Sequence, residues 1–147
     1  IFRDRDIFAL SGGQKRRTAI AGVLACRPMV LILDGITAGL DPLGRKEILG
    51  VIEKLHQEKK MTVIFISHSM DDVARLVDRI VVMDRGRIID DGPARDVLAR
   101  TGRLREIGLE PPQVVEIMQR LREKGFDVPT EVLNVSEALA EITKVLN

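Results

Sequence analysis

The chain has 147 residues, 45% of them apolar and 31% charged, which sets it apart from disordered chains. It reads as soluble and globular, and it is long enough for one domain with a core or for part of a larger one. A formal net charge of +1 gives no global pull toward nucleic acid or anionic lipid, and a single cysteine, Cys26, excludes an internal disulfide.

The lone thiol fits a reducing cytoplasm, and its apolar neighbours Val23, Leu24 and Ala25 predict a small buried side chain. No apolar run approaches the roughly 18 residues that span a bilayer, and no signal peptide is visible. Any membrane role is therefore expected to come through a partner. The first residue is Ile1 rather than Met, which reads as a piece of something longer.

Residues 1–9 carry no clear pattern. Ser11 stands where a helix N-cap belongs, with Gly12 and Gly13 behind it, and the segment from Gln14 to Cys26 reads as helix. Lys15, Arg16 and Arg17 read as a solvated face of that helix. Pro28 stops it, and Met29 to Leu33 form a continuous apolar run that predicts a strand buried on both faces. Asp41 and Pro42 predict an N-cap followed by Pro at the first helical position. Ile48, Leu49, Ile52 and Leu55 then recur at helical spacing to about Lys59.

Thr62 to Ile66, rich in β-branched residues, predicts a second buried strand. Ser69 caps a helix with Val73, Leu76 and Val77 on one face. Arg79 to Met83 and Arg87 to Ile89 flank Asp84-Arg85-Gly86 as a hairpin. Gly92 and Pro93 open a short helix ending near Arg100. Strand and helix alternate, which predicts an α/β layer with parallel strands. Composition changes near Thr101-Gly102, and two helices follow, near 112–124 and 135–146. Gly125 ends the first, and Asn134 with Glu137 predicts a capping box for the second. Val115, Met118 and Leu121, with Leu139, Ile142 and Leu146, are expected to pack. The division expected is 1–100 and 101–147.

Three places carry chemistry. In "LSGGQ", Leu10 to Gln14, small residues at a helix start leave backbone N–H groups open, and the helix dipole favours a phosphate there. Ser-Gly-Gly alone goes no further than a capped helix start. Asp34 ends a buried strand, where ligands bind in open α/β sheets, and it is a candidate to hold Mg²⁺ with waters still on the metal. His68 follows the next strand in "VIFISHSMDD" and is a candidate to contact a phosphate oxygen.

The order of "LSGGQKRR", "VLILD", "TAGLDP" and "ISHSMDD" resembles the second half of an ABC-type ATPase nucleotide-binding domain. Ser11, Gly12, Gly13 and Gln14 match the signature motif, Asp34 the Walker B aspartate, Asp41 the D-loop aspartate and His68 the switch histidine. "GQKRRTAIAGVLA", "GRKEIL" and "SHSMDDVARL" look most like the ATPase subunits of energy-coupling factor transporters, which import vitamins or transition-metal ions such as cobalt and nickel. The tail "GLEPPQVVEIMQRLREKGFDVP" is similar to the C-terminal extension of that group. The resemblance implies an incomplete P-loop NTPase fold, a parallel sheet with flanking helices and a small helical C-terminal extension, with ATP and Mg²⁺ as the family's ligands. It implies a second ATPase subunit paired head to tail and a membrane-embedded coupling protein as partners, with no nucleic acid. It also implies a place at the cytoplasmic face of the membrane. In such pairs the signature segment acts on nucleotide held by the other subunit.

Two parts of the family pattern are missing. No G-x-x-x-x-G-K-[ST] loop occurs in the sequence, and Gly44-Arg45-Lys46 lacks the pattern. In the family fold the P-loop strand lies between the histidine-bearing strand and the one matching Arg79 to Met83. Its absence predicts either marginal stability or direct pairing of those two strands. The family also places Glu after the Walker B Asp, where it polarises the attacking water. Here Gly35 stands there, with Ile36 where the family has Pro. Losing such a group costs ~10²–10⁴ in rate, so the chain alone is expected not to hydrolyse ATP. A turn needing positive φ is the other reading of Gly35. Part of a transport ATPase and a non-catalytic module docking on an intact ATPase or on a membrane coupling subunit both remain open, and an ATPase of DNA repair or translation is a third reading.

Overall fold

The computed structural model describes residues 6–59 and 61–146, so the first five residues of the unassigned N-terminal segment lie outside it. It divides into two units, residues 1–66 and 67–147.

In the first unit, a 3-10 turn at Ile7–Ala9 leads to Ser11 and helix α1, Gly12–Ala25. The helix ends where Arg27 takes φ 50° just before Pro28, a residue that cannot continue it. No residue of α1 is buried. Cys26 is exposed rather than packed, as are Val23 and Ala25 before it, with Leu24 only half-buried.

Strand β1, Val30–Asp34, pairs in parallel with β2, Thr62–Ile66, with Ile32 opposite Ile64 and Asp34 opposite Ile66. Helix α2, Pro42–Lys59, connects them and buries Ile48, Leu49 and Ile52. The predicted strand–helix–strand order is therefore present, but the two-sided burial is not. Leu31 and Leu33 are buried, while Ile32 is 63% exposed and Ile64 and Ile66 are about half exposed. Side chains alternate across a strand, so one face meets the core and the other stays open.

The second unit begins with helix α3, Met70–Leu76. Ser69 occupies its N-cap without a side-chain capping bond. Strands β3, Arg79–Asp84, and β4, Arg87–Pro93, form an antiparallel hairpin. Its two-residue turn has positive φ at both Arg85 and Gly86, the geometry that matches strand twist. Arg79 holds Asp91 across the strands through two 2.8 Å bonds. The described strands thus form two separate two-stranded sheets, and the direct pairing of β2 with β3 that the sequence left open does not occur.

Short helices α4, Ala94–Ala99, and α5, Thr101–Glu106, bury Val97, Leu98 and Leu104. Helix α6, Gln113–Glu123, and helix α7, Val135–Leu146, follow. Met118, Val128, Val132 and Ala138 form one buried cluster, with Val114, Leu121 and Ile142 against it. Leu139 and Leu146 were expected to pack there, but both are largely exposed, because Ala138 and Ile142 carry the inward face of α7. Gly125 ends the α6 segment at φ 92°, and Asn134 caps α7 through a 2.9 Å bond to the Glu137 amide. Buried Thr101 donates to Gln119, whose amide donates to the Ala99 carbonyl, so α6 is fastened to the α4–α5 junction. Asp71 of α3 accepts the Gln113 amide at the start of α6.

The carboxylates of this unit make its stability depend on acid. The Arg95 guanidinium holds the Glu137 carboxyl below the usual range, and Arg100 does the same to Asp90. A carboxylate whose folded pKa is depressed adds stability above its unfolded value and loses it as pH falls through the folded one. We expect the unfolding midpoint to drop below about pH 5, and Glu137→Gln to remove part of that drop. A midpoint-against-pH curve identical for both proteins would contradict this.

Candidate functional site

Ser11, the N-cap of α1, accepts the Gln14 amide at 3.3 Å, and Gln14 Oε1 accepts the Ser11 amide at 3.0 Å. This reciprocal pair closes the helix start. It fixes the first turn and leaves Gly12 exposed, and a Cβ built on Gly12 meets nothing within 4 Å. The turn therefore offers open N–H groups at the positive end of a 14-residue helix, a site suited to an anion.

Asp34 lies at the C-terminal end of β1 and is exposed. Gly35 follows at φ +57°, with its amide donating to the Ile66 carbonyl at 3.1 Å and its carbonyl accepting from Ala38 at 3.1 Å. The positive-φ turn is therefore present at this position, and the side chain there is only a hydrogen. Gly39 takes φ +70° further along the same loop. Ile36 is buried and anchors the loop. At the far end Asp41 Oδ1 accepts the Gly44 amide at 2.6 Å, capping α2. A Cβ on Gly44 would stand 2.8 Å from that oxygen, so glycine is needed for the cap.

The first unit gathers most of the predicted residues. Leu40 Cδ2 stands 3.5 Å from where a Cβ on Gly13 would be, which brings the end of the loop against the first turn of α1. Arg16 donates to the carbonyls of Ile36 at 2.9 Å and Ala38 at 2.6 Å, and Arg17 pairs with Glu47 of α2. The basic cluster is thus not a solvated face, because two of its three members are half-buried and bonded to neighbouring elements. Arg16 is expected from the sequence only on a solvated face, and Leu40 carries no expectation there. The signal was a glycine-bearing loop, which turns carbonyls outward that need donors. His68 belongs to the second unit, where it is exposed in the Ser67–Ser69 link and Ser67 Oγ accepts the Ser69 amide at 3.0 Å.

The fit to ATP and Mg²⁺ can be tested on this donor set. Exposed Asp34 is a carboxylate of the kind that would serve a hard cation as one oxygen ligand, the others having to come from outside the chain. Among the described residues no cluster of three or more His, Cys, Asp or Glu is placed to hold a metal. The chain's residues fit a surface that meets phosphates, and the sequence has no glycine-rich loop of its own to cradle them. Among the described residues no helix is long and apolar enough to cross a membrane.

Residues 2–38 match the family model described as ABC transporter. The chain is 51% identical to the energy-coupling factor transporter ATP-binding protein EcfA2 of Clostridium tetani over 146 residues, which is 99% of this chain and 51% of the relative. It is 52% identical to EcfA2 of Clostridioides difficile, again over 99% of this chain and 51% of the relative. The chain thus spans about half the length of the curated relatives it matches. Among solved structures it is similar to cbiO1 of Clostridium perfringens, described as part of the ABC transporter complex cbiONQ. That match has a TM-score of 0.62 and 40% identity, and covers 80% of this chain and 47% of the other. By fold and sequence the chain is similar to the ABC transporter ATPase class. Within that class it is related to the energy-coupling factor ATP-binding proteins.

Proposed function

We propose that the chain is the signature-and-switch portion of an energy-coupling factor ATP-binding subunit. In this reading residues 1–100 are the C-terminal half of the nucleotide-binding domain, and 101–147 are a helical extension. The whole subunit couples ATP binding and hydrolysis to import of a vitamin or a transition-metal ion. It works at the cytoplasmic face of the membrane, paired with a second ATPase subunit and docked on a membrane-embedded coupling protein. Ser11, Gly12, Gly13 and Gln14 face the phosphates of ATP held by the partner, Asp34 contributes to Mg²⁺, and Asp41 and His68 serve the reaction. The observation that carries this reading is the closed capping box, which presents the Ser11–Gly13 turn open to solvent at a helix N-terminus.

Gly35 favours a second reading, a non-catalytic module that docks on an intact ATPase, since the loop offers no carboxylate after Asp34. One experiment separates them. The pure chain is expected to show no ATP turnover. Added to an intact energy-coupling factor ATPase subunit, it alters that subunit's turnover if the signature turn engages the partner's nucleotide. Gly12→Asp adds a carboxylate in open space at a helix start, where the dipole favours it, so the fold is expected to hold. The same charge repels phosphate and is expected to abolish the effect. An effect that survives Gly12→Asp supports docking through another surface. Turnover by the pure chain would sink the inactive reading outright.

A further inference from the structure

We propose that Arg16 is a positioning residue, locking the Gly35–Leu40 loop to the helix that carries the Ser11–Gly13 turn. The inference rests on the reading of that turn as a nucleotide-facing site. One guanidinium nitrogen of Arg16 meets two loop carbonyls, those of Ile36 at 2.9 Å and Ala38 at 2.6 Å. Within the loop, Ala38 donates to the Gly35 carbonyl at 3.1 Å and Leu40 to the Thr37 carbonyl at 3.4 Å. Two glycines at positive φ, Gly35 and Gly39, sit within it. Such a segment needs an outside support, and hydrogen bonds from a charged donor are the stronger kind.

The support comes from α1 itself. Arg16 lies five positions after Ser11, little more than one helical turn, and Leu40 rests against Gly13 on the same side. The loop's ends are Asp34 and Asp41. A displacement of α1 when its first turn meets an anion is therefore carried through Arg16 into the segment between the two aspartates. Arg17, bonded to Glu47, ties the same helix to α2 beyond the loop. The anion turn, the loop and α2 are thereby coupled as one block.

The test uses the full chain with Arg16→Gln and Arg16→Lys. Amide exchange at Ala38 and Leu40 is measured, and each protein is titrated into the intact EcfA2 subunit of Clostridium tetani with ATP. Arg16→Gln is expected to speed exchange at both amides about tenfold or more, the loss of a charge-assisted bond. It is expected to leave the half-saturating concentration of the chain unchanged while cutting its maximal effect on turnover by a similar factor. Arg16→Lys, which keeps the charge and a donor, recovers part of both. A purely structural role would move the half-saturating concentration and spare the maximum, and that result overturns the proposal. So does unchanged exchange at Ala38 and Leu40. If the unaltered chain leaves turnover as it was, the reading of the Ser11–Gly13 turn falls instead, and the exchange data alone decide whether Arg16 holds the loop.

Discussion

Met118→Ala is expected to lower the stability of the second unit by about 2–5 kcal/mol. Met118 has no exposed surface and lies in the cluster formed with Val128, Val132 and Ala138. Truncation removes the transfer energy of its side chain and leaves a cavity that α6 and α7 cannot fully close. A unit of this size has a total stability on the order of 5–10 kcal/mol, so the loss is a large share of it. The neighbouring residue gives the control. Ile117 is more than half exposed, and Ile117→Ala is expected to cost under about 1 kcal/mol. Denaturant midpoints measured on the two variants decide the matter. Equal losses would mean that α6 packs by a different face. Helix α6 also shares bonds with the helices before it, through Gln119 to Ala99 and Asp71 to Gln113. Loosening Met118 is therefore expected to reach α3 and α4, which amide exchange on those helices would register.

Much of this architecture was legible because local rules and burial agreed. Ile48, Leu49 and Ile52 announced the buried face of α2 by spacing alone, and Asp41-Pro42 announced its start. The hairpin followed from Arg85-Gly86, and the α7 cap from Asn134 and Glu137. What sequence could not tell was which apolar faces lack a cover. Ile32, Ile64 and Ile66 look like core residues in any pattern, and only the placement of neighbouring elements leaves them open. The same holds for Cys26, Leu139 and Leu146. At the site, the residues bearing motif chemistry were visible one by one, whereas the bonds joining them were not. Arg16 reaches a loop 20 and 22 positions away, and no local pattern encodes a contact of that range.

Gly35→Glu is expected to destabilise the first unit by about 1–2 kcal/mol and to leave the chain without ATP turnover. The strain is in the backbone. Gly35 has φ +57°, where a Cβ is disfavoured even though nothing lies within 4 Å of it. Relief by flipping to negative φ would break the bonds to Ile66 and Ala38, which hold the end of β1 to β2 and start the loop. Gly35→Ala should show the same loss with no carboxylate, and Gly35→Asn a smaller one, since Asn tolerates this region. Denaturant unfolding of the three variants separates backbone from charge. A Glu variant as stable as the original, beside a destabilised Ala variant, would mean that the new carboxylate gains a partner in the loop. The expected silence in turnover has a separate origin. A base polarises water only beside a bound phosphate, and the sequence has no G-x-x-x-x-G-K-[ST] loop to hold one. The glycine and the absent loop are therefore independent obstacles, and mending the first leaves the second in place. Turnover in the Glu variant would show that phosphate is held by other residues of the chain, with the open amides at Gly12 and Gly13 the first place to look.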